Sequence, residues 1–179
     1  MRLAVLTISD RCSQGRLTDT AGPAVVALLR NEWSDAEIVT LLLADDEDAI
    51  AAALEKLSQE AVALVLTVGG TGFGPRDRTP EATRRVIDRE APGLAEAMRI
   101  YGAERNPYAW LSRGVVGLRA KWAGMCGVDT APAEAWMPDA RDLTEWLIAV
   151  VFMTRRCHLE LRGKSLVARR ELQLQTTKT

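Results

Sequence analysis

Ala61-Val62-Ala63-Leu64-Val65-Leu66-Thr67-Val68-Gly69-Gly70-Thr71-Gly72-Phe73-Gly74-Pro75-Arg76-Asp77-Arg78-Thr79-Pro80-Glu81 holds, in order, an apolar run, a cluster of glycines and the start of a helix. The run from Ala61 to Val68 is short, rich in β-formers and closed by glycine, which predicts a strand buried on both faces. Thr79-Pro80-Glu81 supplies a cap, a first-turn proline and an acid, so a helix is predicted through Val86 and Ile87. Upstream, Leu3 to Ile8 reads as a second buried strand. Pro23 opens an amphipathic helix with Val25, Val26, Leu28, Leu29 and Trp33 on its apolar side. Glu37 to Leu43 reads as a strand. Asp45, Asp46, Glu47 and Asp48 then form the acidic start of a helix that buries Ile50, Leu54 and Leu57. Downstream, Ala91-Pro92-Gly93 punctuates the chain before Leu94 to Tyr101 resumes helical spacing.

Strands alternating with helices at this spacing predict a three-layer α/β/α domain with a mainly parallel central sheet. Ligands of such sheets gather beyond the carboxyl ends of the strands. That rule places Ser9 to Gly22, Ala44 to Asp46 and Gly69 to Thr79 on one rim.

With 179 residues, 47% of them hydrophobic, the chain supports one sizeable core, so a single domain over 1–153 is expected. Residues 154–179 carry seven Lys or Arg against Glu160 and Glu171 and read as a basic tail. A net charge of -1 argues against nucleic acid as a partner. Cys12, Cys126 and Cys157 are odd in number and widely spaced, which suits neither a disulfide framework nor zinc and fits a reducing cytoplasm. The opening apolar stretch is too short for a signal core and Leu147 to Met153 too short to span a bilayer, so no membrane association is expected. His158 is the single histidine, which removes the parts for Ser-His-Asp catalysis or a histidine metal site.

Four glycines between Gly69 and Gly74 let a ligand approach the main chain, whose amides can cradle phosphate. The loop is neither familiar nucleotide motif. A Walker loop requires Lys-Ser/Thr where Pro75-Arg76 stands, and the dinucleotide pattern requires glycine at Pro75. Asp45 and Asp77 both fall on the predicted rim. Singly, each reads as a helix-start acid; jointly, beside the glycine loop, they suit Mg2+, which takes a few carboxylate oxygens together with phosphate and water. Asp10 and Asp19 serve either as ligand contacts or as Asx-turn formers. Such a set favours phosphoryl or nucleotidyl transfer, which needs positioning and charge neutralisation rather than a protein nucleophile.

Thr7-Ile8-Ser9-Asp10-Arg11 with Gly15, Asp19 and Gly22-Pro23 resembles the opening loop of the MogA/MoaB and gephyrin-like molybdopterin-binding domains. Leu66 to Thr83 is similar to the most specific stretch of that family, and Glu90-Ala91-Pro92-Gly93-Leu94, Leu111-Ser112-Arg113, Gly117 and Arg119 continue the likeness, which is strongest over 1–120. The resemblance implies a MogA-like fold and transfer of AMP from Mg-ATP to the terminal phosphate of molybdopterin, releasing pyrophosphate. Asp45 and Asp77 would take the metal and catalytic roles. Ser9, Asp10, Asp19, Gly69, Gly70, Thr71, Gly72 and Ser112 would contact nucleotide and pterin. For Ser112 the resemblance is the sole basis, a turn or cap hydroxyl being the alternative. A homo-oligomer, a trimer by resemblance, is also implied.

Two departures stand out. Ala21-Gly22-Pro23 replaces the family's Ser-Gly-Pro, and after Lys121 the Asn-Leu/Met-Pro-Gly-x-Pro loop is missing. Two readings follow from the second: a change of reading frame, or divergence into a non-catalytic binding or scaffold module. Leu143, Trp146, Leu147, Val150 and Val151 keep helical spacing within the divergent part.

Overall fold

A computed structural model describes residues 1–60, 62–104, 106–119 and 123–128. Strand β1 (Arg2–Ile8) is buried from Leu3 onward, as expected for a strand covered on both faces. Its side chains alternate between two cores, the period-two signature of a strand. Leu3 and Val5 join Leu64, Leu66 and Val68 of β3 (Leu64–Val68) against Val25 and Leu29 of helix α2 (Ala21–Glu32) and Ala95 of α5 (Pro92–Ala103). Ala4, Leu6 and Ile8 join Val65 on the opposite face, under Ile50, Leu54 and Leu57 of α3 (Glu47–Gln59) and Ala82 and Val86 of α4 (Thr79–Val86). Helices therefore cover both faces, and the three-layer α/β/α arrangement holds.

The sheet runs β2-β1-β3-β6-β5-β4, with β2 at Glu37–Leu43, β4 at Arg89–Glu90, β5 at Val116–Arg119 and β6 at Ala123–Val128. The pairs β1/β2, β1/β3 and β3/β6 are parallel, in registers Ile8↔Leu43, Thr7↔Val68 and Val68↔Val128 at their carboxyl ends. Strand β5 pairs antiparallel with β6, and β4 with β5. Notably, β6 lies in the divergent segment after Lys121, and its backbone still fills the position beside β3. Burying a leucine contributes about 1.5–3 kcal/mol. Leu3, Leu6, Leu54 and Leu66, all fully buried, thus build a firm platform below the rim.

Three boundaries differ from expectation. The strand begins at Leu64 rather than Ala61, although Val62 is already buried. Helix α4 stops at Val86 because Ile87 turns to an extended conformation (ψ 146°) and leads into β4, with Asp88 N–H donating to Leu118 O at 2.8 Å. Thr79 is the first helical residue and not the cap: its hydroxyl donates to Gly69 O at 2.9 Å, closing the glycine loop instead of the helix end. Among the described residues no helix is long and apolar enough to cross a membrane. The helix expected around Leu143 to Val151 and the basic tail at 154–179 lie outside the described residues.

Candidate functional site

Parallel β1, β2 and β3 end side by side, so the loops that follow them share one rim. Ser9 N–H donates to Leu43 O at 2.9 Å, tying the first two loops together. The Ser9 hydroxyl caps the short helix α1 (Asp10–Ser13), accepting from Cys12 N–H at 3.3 Å. Asp10 and Asp45 bind each other's main chains: Asp10 N–H donates to Asp45 Oδ2 at 2.8 Å, and Asp45 N–H to Asp10 Oδ1 at 3.1 Å. Arg76 then crosses from the third loop, donating from Nε to Asp10 Oδ2 at 2.5 Å and from Nη2 to Oδ1 at 2.9 Å. All three loops are thereby fastened at Asp10.

Gly70 sits at φ +67°, a conformation that side chains disfavour, and a Cβ there would lie 3.0 Å from Asp45 Oδ1 and press on the Thr79 hydroxyl. The Asp45 carboxylate consequently rests on the bare backbone of the loop. Asp77 folds back over the same loop, its Oδ2 accepting from Gly74 N–H at 2.7 Å; a Cβ on Gly72 would come within 2.9 Å of that oxygen. Both acids are thus brought to one glycine loop.

Electrostatics separates the acids. Burial, the largest influence, pushes the Asp45 carboxyl above the ordinary aspartate range; the Asp10 N–H opposes it, while the negative charges of Asp10 and Asp77 add to it. The Arg76 hydrogen bond holds Asp10 below that range. Thr71 is 1% exposed, and its Oγ1 has no hydrogen-bond partner among the described residues. Carboxylates are hard oxygen donors. Among the described residues no three His, Cys, Asp or Glu side chains gather around one point. Mg2+ does not require such a cage, because phosphate and water complete its shell. Asp45 and Asp77 therefore fit that ion.

Other expected residues stand apart from this cluster or serve it locally. Asp19 Oδ1 accepts from Ala21 N–H at 3.1 Å and Gly22 N–H at 2.9 Å, so of its two open roles the structure displays the turn that starts α2. Ser112 ends the 3-10 turn Pro107–Leu111, and its Oγ accepts from Gly114 N–H at 3.2 Å, a turn hydroxyl.

The adjacent residue escaped sequence reasoning. Arg113 donates from Nε to Gly72 O at 2.7 Å, from Nη2 to Asp77 O at 2.6 Å and from Nη1 to Glu81 Oε1 at 2.5 Å. Its guanidinium lies 5.9 Å from the centroid of the exposed Phe73 ring. Phe73, Gly74, Pro75, Asp77, Arg78 and Arg113 line a cavity of about 270 Å3 beside the loop. The one available signal was position, in the Leu111-Ser112-Arg113 stretch.

A mainly parallel sheet with a glycine loop and paired acids beyond its strand ends defines the protein as a three-layer α/β domain. The chain belongs to the family described as the probable molybdopterin binding domain, whose model matches residues 4–157. It is 32% identical over 167 residues to the molybdenum cofactor synthesis protein cinnamon of Drosophila melanogaster, covering 90% of this chain and 28% of that protein. It is 38% identical over 123 residues to the molybdopterin adenylyltransferase of Helicobacter pylori (strain J99), covering 68% of this chain and 70% of the enzyme. A molybdopterin biosynthesis protein from Mycobacterium abscessus superposes with a TM-score of 0.74 at 33% identity, covering 88% of this chain and 98% of that one. The chain spans 28%, 18% and 34% of the lengths of three of the relatives it matches, cinnamon, the gephyrin of Dictyostelium discoideum and a bifunctional molybdenum cofactor biosynthesis protein of Synechococcus elongatus.

Proposed function

We propose that this chain acts in molybdenum cofactor biosynthesis as a Mg2+-dependent adenylyltransferase, moving AMP from ATP to the terminal phosphate of molybdopterin. The observation that carries the reading is the meeting of Asp45 and Asp77 over Gly70 and Gly72, at the strand ends where α/β sheets bind ligands. In the reaction an oxygen of the molybdopterin phosphate bonds to the α-phosphorus of ATP, the bond from that phosphorus to the bridging oxygen breaks, and pyrophosphate leaves. Loop amides freed of side chains accept the phosphate oxygens. Asp45 and Asp77 would hold Mg2+, which would supply positive charge to offset that of the ATP phosphates. Thr71 Oγ1 donates to a phosphate oxygen, and Asp10, anchored by Arg76, keeps Asp45 in place. The reading treats 1–153 as the working domain and 154–179 as a tail, in a cytoplasmic homo-oligomer.

The full chain, given molybdopterin and Mg-ATP, should release pyrophosphate, and Asp77→Asn should lower turnover about a hundredfold or more with little change in melting temperature. Folded chain that releases none rejects the enzyme reading. A second reading, a binding module without turnover, is favoured by the missing Asn-Leu/Met-Pro-Gly-x-Pro loop. Mg-ATP binding that persists without pyrophosphate release would select it.

A further inference from the structure

Glycine-rich backbone loses much conformational freedom on ordering, so a loop such as Gly69 to Arg78 keeps one shape only where something outside it supplies fixed contacts. Three of its carbonyls meet a single residue. Arg113 N–H donates to Thr71 O at 3.0 Å, and the guanidinium donates to Gly72 O and Asp77 O, so both flanks of the loop tip are gripped at once. The guanidinium is itself held by Glu81 in the first turn of α4, with side chains 28% and 30% exposed, half-buried and partly sheltered from water.

This grip has a directional consequence. A trans peptide unit is planar, and its N–H points opposite to its carbonyl. Carbonyls of Thr71 and Gly72 turned toward Arg113 therefore turn the N–H groups of Gly72 and Phe73 away from it. Consecutive amides so aligned form a concavity for an anion. Fixing Asp77 O, meanwhile, fixes the backbone from which the Asp77 carboxylate folds over Gly72.

We propose that Arg113, anchored by Glu81, is the positioning residue of this site: it aims the Gly72 and Phe73 amides and sets the Asp77 carboxylate, acting through the loop it holds. The proposal rests on the adenylyl-transfer reading. Arginine is required because one rigid fork reaches two carbonyls and a carboxylate together. Lysine preserves the charge beside Glu81 but cannot span all three acceptors.

The test compares full-length wild type, Arg113→Lys and Glu81→Gln in steady-state pyrophosphate release, each with its melting curve. Arg113→Lys should lose about a hundredfold in kcat, the scale of a misplacement near 1 Å, while KM for Mg-ATP moves less than about threefold. Glu81→Gln keeps a carbonyl acceptor for Arg113 but loses the charge that strengthens the bond, and should lose about tenfold in kcat. A kcat for Arg113→Lys equal to wild type overturns the proposal and leaves the adenylyl-transfer reading standing. No turnover by wild type overturns both. Should Arg113→Lys fail to fold, Glu81→Gln decides: lower kcat at unchanged KM and melting temperature supports the positioning role, and unchanged kcat overturns it.

Discussion

Replacing Thr71 by Val deletes one hydroxyl and keeps the outline of the side chain. Thr71 is 1% exposed, with no partner for Oγ1 among the described residues. A buried polar group left unsatisfied costs about 1–3 kcal/mol. Taking the lower end, Thr71→Val should stabilise the ligand-free protein by about 1 kcal/mol, which raises the melting temperature of a chain this size by about 2–4 °C. The proposed ligand reverses the sign. Losing a hydrogen bond to a charged phosphate costs about 1.5–3 kcal/mol, so Mg-ATP should bind roughly ten- to a hundredfold more weakly. Thr71→Ser supplies the control: it keeps the hydroxyl and the affinity, and loses about 1 kcal/mol of stability with one buried methyl. Differential scanning calorimetry with and without Mg-ATP reads both effects. A lower melting temperature for Thr71→Val without ligand would refute the reasoning, since the hydroxyl would then have an internal partner.

Three further substitutions probe the same loop. Gly70→Ala should lose about 2–3 kcal/mol in urea unfolding, of which about 1–2 is the left-handed backbone and about 1 the displaced Thr79–Gly69 hydrogen bond; an unchanged midpoint would contradict the backbone assignment. Asp45→Asn should abolish most turnover yet raise stability at neutral pH in metal-free buffer, because the carboxyl is held above its ordinary range and ionising it disfavours the folded state as pH rises through that interval. Melting curves for the pair read the sign directly, and a loss of stability would contradict it. Burial pushes the Glu81 carboxyl up, but the Arg113 hydrogen bond and charge outweigh it and leave it below its ordinary 4.5. Its contribution to stability is thus complete above about pH 4.5 and lost as pH falls through the depressed value, and Glu81→Gln should flatten that part of the acid limb in pH-dependent unfolding.

Legibility followed locality. Strand β2 shows its bounds, Glu37 to Leu43, in composition alone, and the alternate burial of β1 follows from a continuous apolar run between two helical layers. What escaped was non-local. Arg89 and Glu90 are exposed and carry no apolar signature, so β4 exists only through its pairing with β5. Ala123 to Val128 includes two glycines, poor strand formers, yet the gap beside β3 selects that conformation. At the rim, the topology of parallel strands predicts that Asp45 and Asp77 meet, whereas the choice between roles for Asp19 waits on two hydrogen bonds to α2. Arg113 stood in the quoted Leu111-Ser112-Arg113 stretch, but its contacts were not legible there because its acceptors Gly72, Asp77 and Glu81 lie 41, 36 and 32 positions away.

The charges around the loop bear on the proposed cation. Arg76 is committed to Asp10, and Arg113 to Glu81 and two carbonyls. Among the described residues no cationic side chain forms a salt bridge with Asp45 or Asp77, and the hydrogen bonds to their carboxylates come from the main-chain amides of Asp10 and Gly74. Amides orient a carboxylate but contribute only partial charge, so two acids held this way repel each other, and the Asp77 charge adds to the burial and the Asp10 charge that raise the Asp45 carboxyl. The fully buried platform of β1 and β3 can offset that cost, since a single leucine truncation there would cost about 2–5 kcal/mol. Substituting either acid by an apolar residue would relieve the repulsion and at the same time discard a carboxylate that, in the proposed adenylyl transfer, would draw a doubly charged ion with its phosphates to the amides of the loop.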